Sequence, residues 1–227
     1  VNALQKYYGP DLPVTSITEK PKLDLGSNTL NFVAVPMAHW PDSMVTYIPE
    51  EKILLSNDAF GQHLASSGRF DDEVDQNLLR KEVAAYYANI LMPLWRSVKR
   101  AMDALEGVEI DVIAPSHGVI WRENPGKILE LYQRWIIGET TEKAVIVYDT
   151  MWKSTEKIAK SLSQGIMDEG VEVNIHNLEV SHRSDVMTDI LDARAVLIGS
   201  PTLNNHVFPT VAGFLAYMRG LKPQNKI

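Results

Sequence analysis

The chain has 227 residues, of which 45% are hydrophobic, enough to bury a sizeable core in one domain or two at roughly 100–200 residues each. A formal charge of −7 argues against a nucleic-acid surface and an anionic membrane, and the absence of cysteine excludes disulfides, iron–sulfur clusters, thiolate zinc sites and cysteine nucleophiles. Any metal must therefore use histidine and carboxylate donors.

No apolar run approaches the ~18–20 residues that span a bilayer, and no basic region followed by an apolar core opens the chain, so a soluble, cytoplasmic protein is expected. The chain begins at Val1 and ends with "LKPQNKI" after a helical pattern that no strand completes, which reads as a fragment lacking sequence at both ends.

In chain order, "TLNFVAVPM" at 29–37 predicts a strand, and "SMVTYIPEEKILLSND" at 43–58 predicts two strands around a Pro49-Glu50-Glu51 turn. A long helical region is expected over 74–105, then a short buried strand in "VIAPSH" at 112–117. The helix "PGKILELYQRWII" at 125–137 follows, with Pro125 suited to its first turn. After "GETTEK" the pattern alternates: strands at 144–148, 171–175 and 195–199, with helices at 154–167, 184–191 and 211–218. That alternation predicts a doubly wound parallel sheet, and it divides the chain into 1–140 and 141–227.

Ligands of such sheets bind outside the carboxyl ends of the strands. Two of those ends carry polar clusters. Thr150, Met151, Trp152, Lys153, Ser154 and Thr155 follow the first strand, where hydroxyls and helix N–H groups could cradle a phosphate. Ser200, Pro201, Thr202, Leu203, Asn204 and Asn205 follow the third, where backbone amides and Asn side chains could hold a flat ring. The competing reading is plain capping, with Thr150 or Ser154 as a helix N-cap. No Gly-x-Gly-x-x-Gly fingerprint or Walker lysine loop appears, so a ligand would be a mononucleotide. Strand order alone leaves an FMN domain and a receiver-like domain both open, although of a receiver's acidic cluster only Asp149 is present.

In the first region, "PMAHWPDSM", "LLSNDAFGQH" and "IAPSHG" each place a histidine or aspartate after an apolar strand. His39, Asp58 and His117 are three donors of the kind a histidine–carboxylate metal site requires. Singly, each has an ordinary reading: a core histidine beside Trp40, a turn aspartate, a strand-end cap.

Together these motifs resemble the flavodiiron proteins, or A-type flavoproteins. "VYDTMWKSTEKIA" and "IGSPTLNNHVFP" resemble their FMN phosphate loop and first isoalloxazine loop, with Lys153 standing where the usual flavodoxin loop has glycine. The three histidine and aspartate motifs resemble the second half of their metallo-β-lactamase-like αββα domain. The resemblance implies that His39, Asp58 and His117 are catalytic ligands of two iron ions, with Asp58 bridging, and that the 150–155 and 200–205 loops bind FMN. The family's earlier His-x-Glu-x-Asp-His cluster, which supplies the other ligands, is not in this chain, and its second flavin loop would lie beyond Ile227. The resemblance further implies reduction of O2 to water or NO to N2O, and a small donor such as rubredoxin. It also implies a head-to-tail homodimer or a dimer of dimers. His63 is expected to make an outer hydrogen bond at the metal site, Tyr86 and Tyr87 to pack in the core, with one of them able to face the metal pocket, and His176, His182 and His206 to lack partners. A zinc hydrolase of the metallo-β-lactamase type, and an electron carrier whose first region is only scaffold, are the alternatives.

Overall fold

The computed structural model describes residues 2–227. A short helix α1 (Asn2–Tyr8) leads to a five-stranded sheet in the order β1 (Lys22–Asp24), β2 (Thr29–Ala34), β3 (Met44–Ile48), β4 (Ile53–Asn57), β5 (Val112–Pro115). β1 to β4 pair antiparallel and β5 joins β4 in parallel. Because β2, β4 and β5 therefore run in one direction, their C-terminal ends emerge on the same edge of the sheet. The predicted hairpin forms across residues 49–52, with Lys52 in the left-handed region at φ 52°.

The helical region expected over 74–105 is present but is divided into several segments. α2 (Gln76–Tyr86) starts at Asp75, whose carboxylate accepts the Leu78 N–H at 2.8 Å. The chain then widens into a π-turn at Tyr87–Leu91 and tightens into a 3-10 turn at Met92–Leu94 before α3 (Trp95–Asp103). Pro93 has no N–H to donate and its ring crowds the preceding turn, so regular α-helix cannot run through it. α4 (Pro125–Ile136) begins as predicted, with Asn124 capping the Lys127 N–H at 3.1 Å. Tyr87, Tyr132 and Trp135 from these helices form an aromatic cluster with ring centroids 5.0–5.8 Å apart.

The second sheet has the order β7 (Glu172–Asn177), β6 (Lys143–Tyr148), β8 (Ala195–Gly199), all parallel. Central β6 is buried at every residue, which is why it reads as an unbroken apolar run rather than an alternating one. Its one charged residue, Lys143, is matched by an ion pair with Asp192. α5 (Ser154–Asp168), α6 (Arg183–Ile190) and α7 (Pro209–Leu221) complete the doubly wound unit. A small hairpin, β9 (Thr202–Leu203) and β10 (His206–Val207), occupies the loop after β8 and was not legible as strand.

One hydrophobic core runs under both sheets, from Leu54 and Ile113 to Val145 and Val186. Across it, Asn89 of the π-turn donates to the Ser184 carbonyl of α6 at 3.2 Å and accepts from the Tyr217 hydroxyl of α7 at 2.8 Å.

Candidate functional site

The common strand edge of the first sheet brings His39, Asp58 and His117 together. Asp58 directly follows β4, and His117 lies two residues beyond β5. The Ser116 N–H donates to the Asn57 carbonyl at 2.7 Å, holding the two ends side by side. His39 sits in a turn five residues past β2, closed by Met37 N–H to the Trp40 carbonyl at 2.7 Å and Trp40 N–H to Ser43 Oγ at 2.9 Å. The Asp58 carboxylate is shared: Oδ2 lies 3.4 Å from His39 Nε2 and Oδ1 lies 3.1 Å from His117 Nε2. Asp58 is mostly covered while His117 is about half exposed, so the carboxylate forms the floor and an imidazole the rim.

This edge is held by side chains from below. Phe60, at φ 65°, donates its N–H to the Tyr132 hydroxyl oxygen at 3.0 Å, and its carbonyl accepts from Trp121 Nε1 at 2.9 Å. Fully buried Gln62 accepts the Val119 N–H at 2.6 Å, tying the Asp58 loop to the His117 loop. Gly118 is required between them: at φ 77°, a Cβ there would sit 1.4 Å from Gln62 Oε1. Left-handed residues at Met37, Asn57 and Phe60 all flank the same edge, the clustering of backbone cost expected where a site is pre-shaped.

Tyr86 and Tyr87 both pack in the core as expected, and the Tyr86 ring also reaches the site, 5.0 Å from that of His63 and 6.4 Å from that of His117. Burial, with a smaller contribution from the Asp58 charge, pushes the Tyr86 hydroxyl up to about 12, so it remains protonated over the physiological range. His63 meets His117 edge-on at 5.8 Å rather than through the expected hydrogen bond.

Do these residues fit a metal pair? Among the described residues no group of three or more His, Cys, Asp or Glu side chains is arranged to hold a metal ion by itself. The geometry explains why: each Asp58 oxygen faces a different imidazole, so the donors divide between two points instead of closing around one. That division is the donor pattern of a bridging carboxylate, and the nitrogen–oxygen donor set suits non-haem iron.

In the second sheet, the loop after β6 is not capped in the ordinary way. Lys153, left-handed at φ 63° and without a side-chain cap, precedes α5, and Ser154 is already its first helical residue. Thr150 Oγ1 is buried and has no hydrogen-bond partner among the described residues. The capping reading of Thr150 and Ser154 therefore fails, while an oxyanion at this helix N-terminus would satisfy both the orphaned hydroxyl and the free N–H groups. Buried Asp149, noted in the sequence only as the one acidic residue of a receiver-like cluster, braces the loop: it accepts the Thr150 N–H at 2.6 Å and the Thr210 hydroxyl of α7. Gly199 lets β8 approach, since a Cβ there would lie 2.9 Å from Thr155 Cγ2. Trp152 is strongly exposed and Met151 partly so.

In the loop after β8, Ser200 Oγ accepts the Phe208 N–H at 3.0 Å, and Pro201 leads into the hairpin. Asn204 and Asn205 occupy its two left-handed turn positions, at φ 50° and 62°, between Thr202-Leu203 and His206-Val207. Two histidines do have partners, contrary to expectation: His176 pairs with Asp189 at 2.7 Å, and His182 caps α6 through the Ser184 N–H at 3.3 Å.

A β-lactamase-like sheet carrying a His–Asp–His edge, followed by a flavodoxin-like sheet with a phosphate-type loop, defines a two-domain metallo-flavoprotein. A family model described as ODP family beta lactamase matches residues 1–118, and one described as Flavodoxin matches residues 146–226. The chain belongs to the ODP β-lactamase-like family, in its flavodiiron branch, which implies FMN and a di-iron site. The nitric oxide reductase of Moorella thermoacetica is 50% identical over 229 residues, covering 100% of this chain and 57% of that protein. Among solved structures, rubredoxin oxygen:oxidoreductase from Desulfovibrio gigas superposes with a TM-score of 0.94 at 41% identity, over 100% of this chain and 58% of that one. The flavodiiron protein of Giardia intestinalis gives 0.90 at 38% identity, over 97% and 55%. The chain thus spans somewhat more than half the length of each.

Proposed function

We propose that this chain carries part of a flavodiiron oxidoreductase that reduces O2 to water or NO to N2O, its boundary falling between residues 1–140 and 141–227. The observation that carries this reading is the Asp58 carboxylate, divided between His39 and His117 at 3.4 and 3.1 Å. His39 and His117 would each give an imidazole nitrogen to one iron, and Asp58 one oxygen to each. When bound, two ferrous ions supply two electrons and reduced FMN two more, matching the four that O2 requires, while two suffice for a pair of NO molecules. The residues of 150–155 would hold the FMN phosphate against the α5 N-terminus, and those of 200–205 would flank its ring.

The relatives named for NO reduction and for rubredoxin-dependent O2 reduction support this substrate class and a small redox donor. A cytoplasmic location is part of the same proposal; no helix among the described residues is long and apolar enough to cross a membrane. A head-to-tail dimer would set the flavin loop of one subunit against the metal edge of its partner. Exposed Trp152 on the first and Trp40 on the second suit such a contact. Metal and flavin analysis of the full-length protein tests the reading. Two iron ions and one FMN per chain are expected; zinc would point to a hydrolase, and FMN alone to an electron carrier.

A further inference from the structure

A largely covered apolar cavity lies beneath the metal edge. Its walls include Ala38 and Ala59, the chain neighbours of His39 and Asp58, with Val35, Phe60 and Val98. The space it leaves for the centre of a water-sized sphere is about 10 Å³. That is at the threshold for one water, but a water needs polar partners, and these walls are side-chain carbon. A small molecule with little need of hydrogen bonds is the occupant such a void accepts.

The cavity does not end blindly. Met102 and Leu105, on α3 and just after it, line both this cavity and an open groove of about 440 Å³ between α3 and α4. The groove reaches solvent past Lys99 and Gln133. Both side chains thus stand between the groove and a chamber whose walls include the chain neighbours of two proposed ligands. Met102 is suited to a gate, because an unbranched thioether changes rotamer at low cost.

We propose that the α3/α4 groove, the Met102–Leu105 gate and the cavity under Ala38 and Ala59 form an entry route for a diatomic gas, separate from the solvent-exposed rim at His117. The identity of that gas as substrate rests on the function proposed above; the capacity of the cavity to take a small apolar molecule does not. Uncharged diatomics partition from water into apolar space, whereas protons, ions and reductants do not. Such a route would deliver substrate while leaving the polar rim for proton and electron traffic.

The test is diffraction from krypton-pressurised crystals of the full-length, iron- and FMN-loaded protein, joined to steady-state kinetics of gas reduction. Krypton is expected in the cavity. Ala101→Leu, which fills it, and Met102→Phe, which narrows the gate, should each raise KM for the gas several-fold with kcat, iron and FMN content unchanged. Met102→Ala should not raise KM. Absence of krypton from the wild-type cavity overturns the proposal, as does krypton with unaltered KM in both filling variants, which would make the void a packing defect. A loaded wild-type protein that reduces neither O2 nor NO would sink the functional reading and the route with it, while the krypton position would still decide whether the cavity takes gas.

Discussion

The two strand edges, one proposed to hold the metals and the other the flavin, are prepared in opposite ways. At the metal edge the donors already touch one another, and buried Gln62, Tyr132 and Trp121 fix the loops that carry them. At the flavin edge the important groups are left without partners: an orphaned Thr150 hydroxyl, an uncapped helix start and an exposed Trp152. A site built from side chains must be held by other side chains, because each ligand brings its own rotatable bonds. A site built from a helix N-terminus is held by the helix and needs only unoccupied donors.

The largest expected effects test the metal edge. Asp58→Ala, His39→Ala and His117→Ala should each lower iron occupancy by more than about tenfold with FMN still bound, as read by metal analysis and flavin absorbance. Normal iron and turnover in all three would remove the assignment. Gly118→Ala forces a Cβ into Gln62 and should cost on the order of 3–5 kcal/mol in chemical denaturation. Gln62→Leu is milder. It leaves the Val119 N–H unpaired, at about 1–3 kcal/mol. If side-chain bracing is what shapes this edge, the Gln62 variant should lose iron as well as stability.

At the flavin edge the prediction separates ligation from folding. Ser154→Ala with Thr155→Ala removes hydroxyls near a dianion, at roughly 1.5–3 kcal/mol each, so FMN binding should weaken by one to a few powers of ten. Riboflavin, which lacks the phosphate, should barely respond. Because Ser154 is inside α5 rather than capping it, the melting temperature should move little. Equal losses for the two flavins would mean the loop shapes the ring pocket instead.

The smallest effect lies away from both edges. Burial pushes the Asp189 carboxyl up, but the His176 hydrogen bond and charge more than offset this and hold it below the usual carboxylate range. A carboxylate lowered on folding contributes stability above its unfolded pKa, and that contribution is lost as pH falls through the folded value. Asp189→Asn should therefore cost about 1 kcal/mol at neutral pH and progressively less in acid, as followed by denaturant titration.

Much of this was legible in the sequence, for reasons that differ by region. The three parallel strands after residue 140 were placed to within about two residues, because parallel buried strands leave unbroken apolar runs with helices between them. His39, Asp58 and His117 were singled out by their position after apolar segments, and the structure brings them to one edge. What the sequence hid was three-dimensional. Gln62 and Tyr132 look like any polar or core residue until the backbone groups they satisfy come within reach. Pro93 was visible within the 74–105 stretch, but its interruption was overridden by the strong helical pattern around it. Asn204-Asn205 was read as a ring contact although two adjacent asparagines are also a turn signal, and the hairpin they make is too short for strand periodicity.

The Asn89 amide, finally, spans the two units with every polar atom engaged: it donates to the Ala85 carbonyl at 2.9 Å and to Ser184, and accepts from Tyr217. The Ala85 bond lies within the first unit, so parting of the units leaves it intact, whereas the proton held by the Ser184 carbonyl loses its partner when the first unit moves away from α6. The difference in exchange between the two protons of this one carboxamide, followed by nuclear magnetic resonance, therefore reports local separation of the two units, distinct from the global unfolding that backbone amides of β6 would report.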